Sequence, residues 1–338
     1  MSTCWNVRED SFPQHGTPSQ KLRFALHYAT LAPSSHNSQP WRFLQSGTTV
    51  SFIADRTRGL AVIDPYDREL LISCGAAIVA ACVALSHFRL GFELDAFPAQ
   101  AEPDVLAVLR LRKDRAPDTH LAALFPAICK RVTNRGHFEQ TPVPGALQSQ
   151  MIEDAQAEGI ILKMVTSEAQ RARLAKLITQ ADTTQFADPR FRRELASWIH
   201  GSRSFDGMPG YALGVPPLLD FATPLAGMVL RTFDVGTGVA ARDDALVQGS
   251  PLLICFGTNG DNAAEWMFCG QALMRVLLRA CLDGFDASYL NQPIEIPDLR
   301  KELQTALGME EIPQLLIRMG KGLMTEHTPR RPIAEVVP

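Results

Sequence analysis

Three polar clusters in this sequence combine residue types and spacings that could do chemistry. The densest is the loop Pro33-Ser34-Ser35-His36-Asn37-Ser38-Gln39-Pro40-Trp41. It offers hydroxyls, two amides and an imidazole. Amides carry both donors and acceptors, which suits the edge of a heterocycle that alternates C=O and N–H groups. The competing reading is a loop that satisfies its own backbone. The second cluster is Arg131-Val-Thr133-Asn134-Arg135. Two arginines at i and i+4 with a hydroxyl between them can converge on one phosphate through charge-assisted hydrogen bonds. Its competing reading is a solvated face. The third is Arg330-Arg331, in a proline-flanked tail, against an ordinary basic tail.

The background of these clusters is an ordinary globular composition: 338 residues, 46% hydrophobic and 20% charged, enough for one large or two ordinary domains. A chain this long buries enough surface to need no disulfide or metal staple. Lys and Arg total 33 against 36 Asp and Glu, a net charge of -3. That balance predicts no nucleic-acid partner and no membrane partner. An anionic ligand must then be held by a local arginine cluster. The seven cysteines (Cys4, Cys74, Cys82, Cys129, Cys255, Cys269 and Cys281) are odd in number, show no CxxC spacing and sit mostly in apolar runs. They read as small hydrophobes in a reducing compartment, and the polar N-terminus has no apolar signal-like region, so the expected location is cytoplasmic. Leu70–Leu85 is apolar but shorter than the roughly 20 residues of a membrane span, and reads as a helix buried on all sides.

The elements that must position the clusters follow from periodicity and punctuation. SQKLRFALHYATLA is a helix, with Thr17 at N-cap, Pro18 at N1 and Gln20 completing a capping box, and Pro33 as its stop. WRFLQ and TTVSFIA form a strand pair around Ser46-Gly47. The buried helix from Leu70 ends near Gly91-Phe92, DVLAVLRLR is a strand, and HLAALFPAICKR is helical with a break at Pro126. A second segment opens near Arg131. In it PVPGALQSQMIEDAQAEG, ARLAKLITQADTTQF and PRFRRELASWIH read as helices and IILKMV as a strand. LLICFG and QLLIRMG are further strands, Ala263 to Leu282 is a long helix, IPDLRKELQTALG is a short helix and TPRRPIAEVV is the tail. Between Gly201 and Gly249 the texture turns rich in Gly and Pro, with exposed-looking Met208, Tyr211, Leu218, Leu219 and Phe221; irregular stretches of this kind are often lids.

The two long helices resemble one another. Glu69 precedes Cys74-Gly75 and Gly91-Phe92 follows; Glu265 precedes Cys269-Gly270 and Gly284-Phe285 follows. The pairing suggests duplication of a supersecondary unit, against convergence of buried helices on small residues. Gly236-Thr-Gly238-Val-Ala-Ala241 fits the G-x-G-x-x-A fingerprint, follows a strand-like MVLRTF and precedes Asp261. It leaves open a Rossmann NAD-dependent dehydrogenase, although the next strand follows too closely for a comfortable βαβ crossover. No HExxH or G-x-S-x-G motif occurs, so neither a metal site nor an α/β-hydrolase is expected.

Taken together, the loop PSSHNSQPW, the Arg131-x-Thr133-x-Arg135 segment with Phe138 and PVP, and the closing strand, Gly320 and basic pair resemble the FMN-dependent nitroreductase family over nearly the whole chain. The loop resembles the family's P-S-x-x-N-x-Q-P-W segment beside the flavin ring, and the arginine segment resembles its R-x-S-x-R grip on the FMN phosphate. The resemblance implies an α+β nitroreductase-like fold with antiparallel-rich sheets and long buried central helices. In the ordinary family pattern the arginine segment precedes the loop in one short chain. Here it follows, which implies a duplicated, fused pseudo-dimer with one complete site, similar to the double-length Acg-like branch. Residues 1–125 would form the first repeat and 126–338 the second, with halves intertwined and 201–249 as a lid-like insertion.

On that resemblance the cofactor-binding residues are Pro33, Ser34, Ser35, His36, Asn37 and Gln39 from the loop, and Arg131, Thr133, Asn134, Arg135, Tyr289, Leu290, Arg330 and Arg331 from the second repeat. Asn37 and Gln39 are the candidates for the pyrimidine edge. The cofactor would be FMN, with NAD(P)H as electron donor and a nitroaromatic or quinone as small-molecule acceptor. The flavin carries the chemistry, so no catalytic side chain is assigned. The alternative is an FMN-sequestering protein whose lid occludes the flavin. Both a monomeric pseudo-dimer and a homodimer remain open.

Overall fold

The computed structural model describes residues 3–201, 203–213 and 223–338. Its first unit begins with helix α1 (Pro18–Ala29). Thr17 Oγ1 accepts from the Gln20 amide and Gln20 Oε1 accepts from the Thr17 amide, so the capping box forms as expected. The helix stops at Ala29, one turn before Pro33. Strands β1 (Trp41–Ser46) and β2 (Thr49–Ala54) pair antiparallel across a two-residue turn that needs φ +57° at Gly47. Helix α2 (Arg68–His87) follows, then β3 (Phe92–Ala96) and β4 (Val105–Leu111). The strand order is β1-β2-β4-β3. The short helix α3 (Thr119–Ala123) closes the unit.

The second unit repeats this order. Helix α4 (Gly145–Gln156) leads into β5 (Ile161–Val165). The helices α5 (Glu168–Ala187), α6 (Pro189–Ser197), α7 (Thr223–Thr232) and α8 (Gly236–Gln248) then intervene before β6 (Leu252–Thr258). Helix α9 (Ala263–Leu282), β7 (Asp286–Tyr289), α10 (Gln292–Glu295), α11 (Pro297–Leu307) and β8 (Ile312–Gly320) complete it, with strand order β5-β6-β8-β7. The tail ends in α12 (Ile333–Val336). The fold is thus α+β, with two antiparallel sheets of identical strand order.

The long apolar helices meet at the centre. Almost every side chain of α2 is buried, as its unbroken apolar sequence requires. A Cβ on Gly75 would lie 2.0 Å from the Met267 carbonyl oxygen, and a Cβ on Gly270 would lie 1.9 Å from that of Ile72. Each glycine therefore receives the backbone of the other helix three residues before that helix's own glycine. This reciprocity is what a two-fold axis between repeated units produces. The flanking glutamates do not share it: Glu69 is buried and Glu265 is not.

Three expectations are corrected. Of the strand-like MVLRTF, Met228 to Thr232 are helical and belong to α7. Gly236 and Gly238 lie in α8, so the glycine pattern joins two helices and cannot be a strand–turn–helix phosphate cradle. That removes the Rossmann dehydrogenase reading. The 201–249 stretch is largely helical in its second half, and Met208 is buried. The predicted exposed residues Leu218, Leu219 and Phe221 lie outside the described residues. Strands β3 and β7 were not expected; both are short edge strands with weak alternation. The apolar helix α2 is long enough to cross a membrane, yet 94% of its most apolar window is buried in the protein.

Candidate functional site

The loop after α1 is held in an unusual backbone. His36, Asn37 and Gln39 all adopt positive φ, at 51°, 54° and 51°. Each costs on the order of 1 kcal/mol or more, so the surroundings must over-determine the loop. They do. The Ser34 hydroxyl accepts from the Gln39 amide at 2.9 Å, the Arg58 guanidinium donates to the Ser38 carbonyl, and the Ser35 hydroxyl donates to Glu69 Oε2 at 2.5 Å. The Asn37 amide donates to the carbonyls of Gly207 and Pro329, both at 2.9 Å, and its oxygen accepts from Arg330 Nη1 at 2.8 Å. The Gln39 amide donates to the Asn37 and Phe205 carbonyls, while its oxygen accepts from the Arg331 amide at 2.8 Å. The side-chain amides of Asn37 and Gln39 are therefore engaged with the protein. His36 differs: its Nε2 is buried without a partner, and burial pushes its pKa down to about 4.

The arginine segment lies at the end of β7. Thr133 bridges to Ala287, and the Asn134 amide donates to the Ala287 carbonyl at 3.0 Å. Arg131 is 4% exposed, and its Nε and Nη1 have no acceptor. Arg135 is half-buried, with no carboxylate in ion-pair distance among the described residues. Arg318, on β8, is 1% exposed; it stacks on Phe138 at 4.4 Å and donates to the Asn134 carbonyl, leaving Nε and Nη1 without acceptors. Arg330 is 2% exposed and lies over the Trp5 ring at 4.9 Å. Burial lowers the pKa of all four, to about 10 for Arg318 and about 9 for Arg330, which keeps those two charged at neutral pH. Arg131 and Arg318, buried cations with guanidinium donors that lack acceptors, call for an anion.

The loop and the segment share one cavity of about 250 Å³. Pro33, Ser34, Ser35, His36, Asn37, Thr133, Arg135, Tyr289 and Arg330 line it. A second cavity of about 230 Å³ shares Thr133, Arg135 and Thr328 with the first and adds Asn134, Gly136, Arg242 and Met324. Arg131, Leu290 and Arg318 are buried and line neither cavity. Gln39 and Arg331 are elsewhere: Arg331 reaches the carbonyls of Gln39, Trp41 and Glu335 and so clasps the tail to β1. The Tyr289 hydroxyl is buried without a partner, and burial raises its pKa against the pull of Arg131 and Arg135.

Other wall residues escaped the sequence reading. Glu69 is 3% exposed and paired with Arg68 at 2.9 Å. Asp182 and Gln185 come from α5, and Gln292 and Glu295 from α10. Burial raises the pKa of Asp182 to about 7, helped by Asp243, and carries that of Glu295 well above the ordinary carboxylate range, helped by Glu69. The i, i+3 spacing of Asp182 and Gln185 was visible, but only the packing of α5 turns that face inward. Arg318 was hidden inside a strand of otherwise apolar residues.

No family model matches the chain. Among curated relatives, the uncharacterized protein Rv3127 of Mycobacterium tuberculosis is 30% identical over 330 residues, 94% of this chain and 92% of that protein. The "Putative NAD(P)H nitroreductase Rv3131" of the same organism is 29% identical over 329 residues, 96% of this chain and 92% of that protein. The "Putative NAD(P)H nitroreductase acg", also from M. tuberculosis, is 28% identical over 320 residues, 93% and 94% of the two chains. Among solved structures, the FMN-dependent nitroreductase NfnB of Mycobacterium smegmatis, in complex with NADPH, aligns with a TM-score of 0.43 at 16% identity, covering 64% of this chain and 98% of that one.

Proposed function

The chain belongs to the nitroreductase family, and from that premise we propose that it binds FMN and passes reducing equivalents from NAD(P)H to a nitroaromatic or quinone acceptor. The observation that carries this reading is the pair of buried arginines, Arg131 and Arg318, whose guanidinium donors lack acceptors. Its donor set fits a phosphate, and the adjoining cavities give a ligand room for a planar ring beside the Pro33–Trp41 loop. Arg131, Arg135 and Arg318 would hold the phosphate, with Thr133 as a hydroxyl donor. His36 Nε2 and the Tyr289 hydroxyl are the free polar groups available to the ring. Asn37, Gln39 and Arg331 act as positioning residues, since their own hydrogen bonds fix the strained loop. Bound FMN supplies two-electron transfer; the protein supplies binding, orientation and charge.

The recurrence of strand order and the reciprocal glycines support a fused pseudo-dimer with repeats near 1–125 and 126–338. The tail returns to the first repeat, where Val336 and Val337 join its core and Arg23 donates to the Val337 carbonyl. Separately produced halves should therefore be insoluble, and two soluble halves would count against this division. A monomeric state fits a cavity lined from both repeats of one chain, and a reducing, cytoplasmic location fits cysteines that are free in the fold.

A second reading, FMN sequestration, draws on three contacts of one segment. Residues 205–208 close over the loop through Phe205 and Gly207 carbonyls and an Arg58–Asp206 ion pair. The visible spectrum of the purified protein, before and after anaerobic NAD(P)H, tests both. A flavin spectrum that bleaches supports the oxidoreductase. One that bleaches only with dithionite favours sequestration. No flavin after reconstitution with FMN overturns both.

A further inference from the structure

The cavity wall carries a second, oppositely tuned polar region. Asp182 is 1% exposed, lines the cavity, and neither carboxylate oxygen accepts a hydrogen bond of ordinary length; the Gln292 amide lies close to it but is taken by Asp243. Gln292 donates to Asp243 Oδ2 at 2.7 Å, which leaves its Oε1, also buried in this wall, without a donor. Glu295 accepts from Gln185 Nε2 at 2.5 Å, and Glu69 from Ser35 and Arg68. Three acceptor atoms on one wall thus lack donors, just as the arginines lack acceptors. The surfaces between are apolar: Ile72, Phe186, Phe191, Met208 and Leu273.

Resting on the proposed oxidoreductase reading, with the acceptor entering the cavity beside the flavin ring, we propose that Asp182, Gln292 and Glu295 form a subsite for an organic cation, so that preferred acceptors are flat apolar molecules bearing an ammonium or amidinium group. Such a group brings two or three N–H donors and a positive charge to three orphan acceptors and an acidic wall. Nitroaromatics and quinones without a donor leave those acceptors unpaired, which is the strongest basis for discrimination between otherwise similar ligands.

The subsite couples to protons. Asp243 from α8 acts directly on Asp182 and itself faces Arg242 and Arg318, while Glu295 from α10, Glu69 from α2, Arg135 and Arg330 line the same cavity. Burial and Asp243 hold Asp182 partly protonated near neutral pH, so a bound cation expels that proton.

The experiment is calorimetry on the oxidised full-length protein without NAD(P)H, with 4-nitrobenzylamine as cationic probe and 4-nitrobenzyl alcohol as its neutral partner. The amine should bind at least about tenfold more tightly at pH 8. At pH 7 its binding should release protons, seen as a dependence of heat on buffer ionisation enthalpy. Asp182→Asn should collapse the amine-to-alcohol ratio towards one. If that variant fails to fold, Glu295→Gln should reduce the ratio on its own. Equal binding of the two probes, or a ratio insensitive to both variants, overturns the subsite. A colourless protein that keeps the ratio would overturn the flavin reading and leave the subsite standing. A yellow protein without the ratio does the reverse.

Discussion

The two repeats share strand order and a glycine-matched central helix, yet they differ in what lies between their first two strands. In the first repeat, β1 and β2 are joined by Gly47 and Thr48. In the second, β5 and β6 are separated by residues 166–251, with α5 to α8 among them. The scaffold tolerates this because a long insertion between paired strands costs loop entropy that grows only slowly with length. The difference separates stability from chemistry. What both repeats keep is the helix crossing. What only one has is the side-chain inventory: the strained loop in the first, the buried arginines and the inserted acids in the second. One cavity draws on both.

The largest effect expected is at the shared crossing. Gly75→Ala and Gly270→Ala each drive a methyl into opposing backbone, and each should cost about 3 kcal/mol or more. Thermal unfolding of the two variants should give matching losses. A marked inequality would break the symmetry on which the comparison rests.

Next come the features held by one repeat. On the proposed phosphate site, Arg135→Ala takes a guanidinium from the wall shared by both cavities and should weaken FMN retention by roughly 10–100-fold, read by fluorescence of released flavin on dilution. Undiminished stoichiometric flavin would place the phosphate elsewhere.

Asp182→Asn probes the insertion. With its folded pKa raised to about 7 above an ordinary value of 3.8, Asp182 is stable in the fold while protonated. The native protein should lose stability as pH rises from about 4 through 7, and the asparagine variant should be spared by an amount on the order of 1–3 kcal/mol at pH 8 and by little at pH 4. Identical pH profiles for the two proteins in urea titrations would show that Asp182 is ionised throughout.

The smallest effect is at Gly238, in α8, where a Cβ meets nothing within 4 Å. Gly238→Ala should stabilise by about 0.5–1 kcal/mol and leave flavin content intact. Loss of cofactor on this change would revive the glycine pattern as a nucleotide cradle.

Much of the architecture was legible in the residues. Thr17, Pro18 and Gln20 marked a helix start because capping is local chemistry. The apolar run of α2 and the bounds of α9 followed from composition, since a helix without a polar face must be buried. The Ser34–Asn37 loop and the Arg131–Arg135 segment stood out because polar residues cluster there at useful spacings, and the structure brings both to one cavity. The amides of Asn37 and Gln39 were expected at a ligand edge, but side-chain amides bond whatever carbonyl the fold presents. Here those carbonyls are Gly207, Phe205 and Pro329, far away in the chain.

The sequence by itself thus determined the local and the periodic: caps, turns, the repeated helix and the identity of the charged clusters. Only the tertiary structure decided which groups are left without partners. Whether Arg131, Asp182 or Gln292 is satisfied depends on every surface that comes within hydrogen-bond distance, and those surfaces come from helices and strands more than a hundred residues apart. Desolvation, which turns an ordinary aspartate into a carboxyl titrating near neutrality, is likewise a property of the surrounding fold. The clusters named the chemistry available; burial selected which of it faces the cavity.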